Sequence, residues 1–261
     1  MKKNPLFSIV VTTHHRASLL TRALKSLLQQ SFHDFEIVLA SDEGSTETKN
    51  VAQRLLRDHD VFVCLPGSDG PAETRNCAVS LARGRFIIFL DDDDSFMPEF
   101  LQDVVDCDRF ITDAVNYVSY TQLQESRVSE VPQIVSSQQI NTGILKIDKL
   151  LVHNFIPNNA VILPAWIAKR HPIDIRLRSH EDWDFLLSLL HQHQFNFLNI
   201  SGPVVHSNQG SSRNNDSVTT GSVAFDFLSI YRKWPVEEDS IRHERKEMLK
   251  RLGMDLPRNL L

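Results

Sequence analysis

A chain of 261 residues with 41% hydrophobic and 23% charged residues can bury a large core, which excludes a disordered or low-complexity protein. Its formal net charge of −5 and isoelectric point near 6.1 argue against nucleic acid as the partner. The three cysteines (Cys64, Cys77 and Cys107) form no CxxC pair, no apolar run approaches the roughly 20 residues of a bilayer span, and no signal-peptide pattern opens the chain, so a reducing, cytoplasmic setting is expected.

Residues 7–11 form a short β-branched run that reads as a strand, followed by the polar stretch 12–16. Leu19, Leu20, Ala23, Leu24, Leu27 and Leu28 then recur at helical spacing. Residues 35–40 predict a second buried strand ending in Ser-Asp-Glu-Gly-Ser, and a weaker helix carries Val51, Ala52, Leu55 and Leu56. A third strand over 61–65 meets the turn Pro66-Gly67, and Pro71 suits the first position of the next helix. Residues 86–90 read as a fourth strand, buried on both faces. Strands and helices alternating in this way predict βαβ units and a parallel sheet. Beyond Pro98 the pattern changes. A helix is expected over 99–105, a half-exposed strand over 114–120, and a Ser/Gln-rich loop or flap over 126–142. Next come a short helix over 147–152, a strand over 160–163, a helical turn over 166–169, a helix opening at 180–184, and a strand over 195–205. The stretch 210–220 has a mobile-loop composition, and helices over 223–234 and 237–252 close the chain.

The fourth strand runs straight into four carboxylates, Asp91 to Asp94, with no base between them. Strand alternation would place Asp91 and Asp93 on one side and Asp92 and Asp94 on the other. Neighbouring carboxylates raise one another's pKa unless a cation lies between them, and a hard divalent ion with oxygen ligands fits such a cluster. Open α/β sheets bind ligands beyond the carboxyl ends of their strands, which is where Thr12, His14, Arg16, Asp42 and the acidic run all fall.

In sequence order, five segments are similar to those of family 2 glycosyltransferases, inverting enzymes of the GT-A fold that use nucleotide-sugar donors. Ser-Ile-Val-Val-Thr-Thr-His-His-Arg at 8–16 resembles the family's opening strand and the loop under the nucleotide, with His14-His15 where Tyr-Asn is commoner. Ser-Asp-Glu-Gly-Ser at 41–45 resembles Asp-Asp-Gly-Ser, and Gly-Pro-Ala-Glu-Thr-Arg-Asn-Cys-Ala at 70–78 resembles Gly-x-x-x-Ala-Arg-Asn-x-Gly. Leu-Asp-Asp-Asp-Asp-Ser-Phe-Met-Pro at 90–98 resembles the metal-binding Asp-x-Asp segment, and His-Glu-Asp-Trp-Asp at 180–184 the Glu-Asp pair of the catalytic base. The resemblance spans roughly residues 7–206. It implies a three-layer α/β/α sandwich whose sheet is mostly parallel and binds the nucleotide. Residues 1–215 would be one catalytic domain with a donor half (1–110) and an acceptor half (111–215), and 216–261 a helical extension.

The resemblance also implies roles. Asp93 and Asp91 would hold Mn²⁺ or Mg²⁺, with His206 as a further ligand. Thr12, His14 and Arg16 would lie under the nucleotide, Asp42 would accept from the base, and Arg75 would either grip phosphate or fasten its helix to a neighbouring loop. Asp92 would support the turn or touch the sugar, and Arg213 would close over the diphosphate. Asp182 would be the general base, beside Glu181 at the acceptor or the helix start. The donor would be a UDP-sugar and the acceptor a carbohydrate or lipid-linked saccharide of bacterial surface polysaccharide or lipopolysaccharide. The basic stretch 242–251 could rest on an anionic membrane or join two copies of the chain. Two alternatives stand beside this. A non-catalytic nucleotide-sugar-binding protein would keep the same fold. Asp91-x-Asp93-x-Ser95 also superficially resembles the haloacid-dehalogenase-like phosphatase motif, although that motif follows a first strand and here three strands come before it.

Overall fold

A computed structural model describes residues 4–68, 70–128, 132–177, 179–208 and 222–257. Strands β1 (Phe7–Thr13), β2 (Phe35–Ser41), β3 (Val61–Cys64) and β4 (Phe86–Asp91) alternate with helices α1 (Ala17–Leu28), α2 (Thr46–Leu55) and α3 (Pro71–Leu81). After β4 come β5 (Ser95–Phe96), α4 (Phe100–Asp106), β6 (Val115–Ser126), β7 (Gln133–Ile140), β8 (Val161–Pro164) and α5 (Ala165–Arg170). The remaining elements are α6 (Glu181–Leu190), β9 (Phe195–Asn208), α7 (Ser222–Lys233) and α8 (Asp239–Arg251). One sheet runs β3-β2-β1-β4-β8-β6-β9-β5, with β7 paired to β6. Strands β1 to β4, β6 and β9 share a direction, and β5, β7 and β8 run against it.

Strands β1, β2 and β4 of the parallel half are buried on both faces because they carry few polar residues in their interiors, whereas β3 at the sheet edge is half-buried. All of β2, and Phe86 to Leu90 of β4, are buried. Near the start of these strands, the buried polar residues Ser8 and Glu36 satisfy each other at 2.6 Å. Arg83 donates to Glu36 from both its main chain (2.6 Å) and its side chain (2.8 Å). Gly84 makes this fastening possible, since a Cβ there would lie 2.5 Å from the Ser8 nitrogen.

Two departures from the sequence pattern stand out. The stretch expected to be a loop over 126–142 contains β7, whose residues Gln133 to Gln139 are all exposed. With solvent on both faces it has no alternation to read, and its pairing comes from the β6 backbone. Strand β1 continues through Thr12 and Thr13, because Thr12 pairs with both Ala40 and Asp91.

The C-terminal helices pack into the same core. Tyr231 and Phe227 of α7 lie against Trp183 of α6. Arg245, in the middle of the basic stretch, is fully buried. Its guanidinium donates to the Leu151, Tyr231 and Trp234 carbonyls at 2.8, 3.3 and 2.8 Å. Only part of that stretch therefore faces solvent.

Candidate active site

Strand β4 ends at Asp91, and the next residues turn, closed by Asp94 N–H donating to the Asp91 carbonyl at 3.1 Å. The two-sided alternation expected of the four aspartates therefore stops at the first, and each acquires its own surroundings. Asp92 is 3% exposed. It accepts from Thr13 Oγ1 (2.7 Å), His14 N–H (3.4 Å) and Arg16 Nη1 (3.1 Å), tying β4 to the loop after β1. Burial pushes its carboxyl up, against the Thr13 hydrogen bond and the Arg16 charge. Of the two roles expected for Asp92, turn support is the one its contacts serve. Asp93 pairs with Arg16 at 3.1 Å, and Asp91 with Arg75 at 2.7 Å.

A cavity of about 470 Å³ opens at this edge. Thr12, His14, Arg16, Asp42, Arg75, Asp91, Asp92, Asp93 and Glu181 all line it, so the described donor-side candidates other than His206 meet there. His14 Nδ1 lies 2.7 Å from Asp42 Oδ1. Gly70, Pro71 and Thr74 of the 70–78 motif, and Ser68 just before it, which no motif reading singled out, add to its wall at the start of α3. Glu43, the departure from the Asp-Asp-Gly-Ser pattern, faces inward. Burial acts to raise its carboxyl, but Thr48 and Ser45 hold it below the usual range while fixing the start of α2.

Arg75 is 6% exposed and spans two carboxylates, with Nη2 on Asp91 (2.7 Å) and Nη1 on Glu181 (2.8 Å). Its guanidinium is thus held between carboxylates on two sides while it lines the donor cavity. It is the post between this cavity and a second one of about 460 Å³, which shares Arg75, Asp91 and Glu181 and is closed by Asp94, Asn159 and Asp182. Replacing Arg75 by Met should destabilise the fold by about 3 kcal/mol, the lower end for breaking a buried pair because Asp91 is partly exposed. Urea unfolding of the variant measures this directly.

Asp182 lies in the first turn of α6, which His180 enters with a left-handed φ of 58°. Its Oδ2 accepts from Asn154 Nδ2 at 3.0 Å, and its Oδ1 from Trp183 N–H at 2.7 Å. Burial raises its pKa and Glu181 adds to this, against the Trp183 hydrogen bond. Such a carboxylate takes a proton more readily than an ordinary aspartate. Asn154 had no motif to mark it.

His206 sits behind the acidic turn rather than in the donor cavity. Its Nε2 meets Ser95 Oγ at 2.9 Å, its Nδ1 meets Glu125 Oε2 at 3.2 Å, and its N–H donates to Asp94 Oδ1 at 2.9 Å. With both ring nitrogens engaged, it has no lone pair for a metal without giving up a bond. Arg213 lies outside the described residues.

The donor set can be tested against a divalent cation. Among the described residues lining the two cavities, Asp42, Asp91, Asp92, Asp93, Asp94, Glu181 and Asp182 are joined by two arginines, Arg16 and Arg75, and by His14. Asp91 and Asp93 have side chains 39% and 27% exposed, whereas Asp92 and Asp94 are spent on internal bonds. Among the described residues no third His, Cys, Asp or Glu completes a protein-only cage. Two accessible carboxylates suit Mg²⁺ or Mn²⁺, which draws its other ligands from water and phosphate oxygens.

The profile described as glycosyl transferase family 2 matches residues 8–169. The chain belongs to this family. It is 38% identical over 96 residues to the GalNAc(5)-diNAcBac-PP-undecaprenol beta-1,3-glucosyltransferase of Campylobacter jejuni, a match covering 36% of this chain and 31% of that protein. It is 28% identical over 194 residues to the Escherichia coli protein named as colanic acid biosynthesis glycosyl transferase WcaA, covering 73% of this chain and 68% of that one. The GT-A fold recurs in Staphylococcus aureus TarS in complex with UDP-GlcNAc, with a TM-score of 0.64 at 20% identity over 95% of this chain and 73% of that one. It recurs also in the mannosyltransferase PcManGT of Pyrobaculum calidifontis in complex with GDP-Man and Mn²⁺, with a TM-score of 0.62 at 11% identity over 97% and 74% of the two chains. Membership in the family sets aside the phosphatase resemblance. Among the described residues no helix is long and apolar enough to cross a membrane.

Proposed function

We propose that this glycosyltransferase moves a sugar from a UDP-sugar to an acceptor hydroxyl with inversion, using Asp182 as base. The observation that carries this is the shared wall of Asp91, Arg75 and Glu181. It separates a cavity rich in donor-side motifs from one that holds a carboxylate of raised proton affinity. The acceptor oxygen attacks the anomeric carbon as its proton passes to Asp182. The bond between that carbon and the diphosphate oxygen breaks, and its electron pair leaves with the nucleoside diphosphate. Attack from the face opposite the leaving group inverts the anomeric centre. Asp91 and Asp93 would hold the divalent cation, which when bound supplies positive charge to the departing diphosphate. Asp42 and His14 orient the base, and Arg16 holds Asp92 and Asp93 in place.

The lining of the donor cavity comes from the first 110 residues except for Glu181, in keeping with a donor half over 1–110 and an acceptor half over 111–215, with 216–261 as the extension. A lipid-linked or polysaccharide acceptor is supported by the names of the two bacterial relatives. The exposed Lys250 and Arg251 of α8 suit peripheral contact with an anionic membrane. A panel of nucleotide-sugars tested by thermal shift with Mn²⁺ checks the donor. At a hundredfold excess over Kd, a true donor stabilises the fold by about 2.7 kcal/mol. Absence of a shift with every uridine and guanosine diphosphate sugar would refute the proposal. Donor binding without transfer to any saccharide would favour the non-catalytic alternative.

A further inference from the structure

The acidic turn is held from behind by groups outside every motif. Arg22 of α1 reaches it with one end of its guanidinium, where Nη2 donates to the main-chain carbonyl of Asp93. With the other end, Nη1 grips both oxygens of Glu125 at 2.9 and 3.1 Å. Glu125, near the end of β6, is 2% exposed. It also accepts from Arg127 Nε at 2.7 Å and lies 3.2 Å from His206 Nδ1. The opposite nitrogen of that imidazole meets Ser95, two residues past Asp93. Burying a carboxylate among cations costs more than filling the same space with apolar side chains. Among the described residues Arg22 Nε is buried with no hydrogen-bond partner. The main-chain contact made in return is to the residue whose side chain faces the donor cavity. Fixing the carbonyl of a residue fixes its peptide plane, and with it the direction of the side chain.

Resting on the proposed donor site, we infer that Arg22 and Glu125 are positioning residues that aim the Asp93 carboxylate at the cation and diphosphate. Glu125 holds the guanidinium, the guanidinium holds the Asp93 carbonyl, and neither touches the donor. Lysine at position 22 would carry the charge but not the fork, so it could not serve Glu125 and the carbonyl together. Outer-shell groups of this kind typically change metal affinity by about 10- to 100-fold when removed.

The test is Mn²⁺ binding in the presence of UDP, followed by calorimetry on the intact chain, without turnover. Arg22→Lys and Glu125→Gln should each weaken Mn²⁺–UDP binding on the order of tenfold. Arg83→Lys is the control, because it loosens a comparable Arg–Glu pair at the far end of the strands. It should lower the melting temperature and leave the isotherm unchanged. Should Glu125→Gln fail to fold, Arg22→Lys carries the test alone. Isotherms of Arg22→Lys that superpose on wild type, or an equal weakening in Arg83→Lys, would overturn the inference. Asp93→Asn separates this from the underlying reading. If wild type binds no Mn²⁺ with UDP, or Asp93→Asn binds it as well as wild type, the donor site itself is misassigned.

Discussion

Replacing Asp182 by Asn should lower transfer on the order of 10²- to 10⁴-fold, the range of a positioned general base, with the Kd for the donor nearly unchanged. The amide keeps the shape and can still accept from Asn154 Nδ2 or Trp183 N–H, but it cannot take the acceptor's proton. The side chain lines the second cavity and not the donor cavity, which is why binding should survive. The pH dependence adds a signature. Because burial and Glu181 raise the Asp182 pKa, the acid limb of kcat should lie above the ordinary aspartate value. Activity is present above that limb and is lost as pH falls and the carboxylate gains a proton. The same shift makes a stability statement of the opposite sense. The raised folded-state pKa means the ionised form is penalised in the fold, so Asp182 costs stability above its folded pKa and that cost fades as pH falls. In Asp182→Asn the acid limb should disappear from whatever activity remains, and single-turnover rates across pH check it. An unshifted limb in the variant would assign the base elsewhere.

Asp93→Asn should weaken metal-dependent nucleotide binding at least as much as the upper end of the 10- to 100-fold range typical of outer-shell changes, about 100-fold. It removes one of the two most exposed carboxylates among the described residues of the donor cavity. The apo fold should change by no more than about 0.5 kcal/mol, because Arg16 keeps its bond to the buried Asp92. Isothermal titration of UDP with and without Mn²⁺ reads this. Nucleotide binding that is equally metal-dependent in variant and wild type would remove Asp93 from the cation.

The donor side of the site was legible because it is local. Each motif there sits at the carboxyl end of a parallel strand, and parallel βαβ units bring those ends to one edge. Thr12, Asp42 and Asp91 therefore meet once the strands are recognised. The same logic misjudged the acidic run itself. Alternation was carried past the point where the backbone stops being a strand, and the turn closed by Asp94 N–H sends the four carboxylates to separate partners. His206 shows a related limit, since a histidine at the family's place says nothing about what its two nitrogens will meet. Here they meet Ser95 and Glu125, from strands far apart in the chain.

What the sequence by itself determined is the fold class, the edge at which the site lies and the chemistry of its carboxylates, because hydrophobic period and strand order are carried by short windows. What only the tertiary structure decided is how charge is shared out. Arg75 became a bridge between Asp91 and Glu181, and Asp92 a fastener of the β1 loop. Arg22 became the link from Asp93 to Glu125, which lies 103 residues after Arg22 in the chain. Charge pairing acts through space at the few ångströms where a hydrogen bond forms. It has no period along the chain, so no window of sequence contains it.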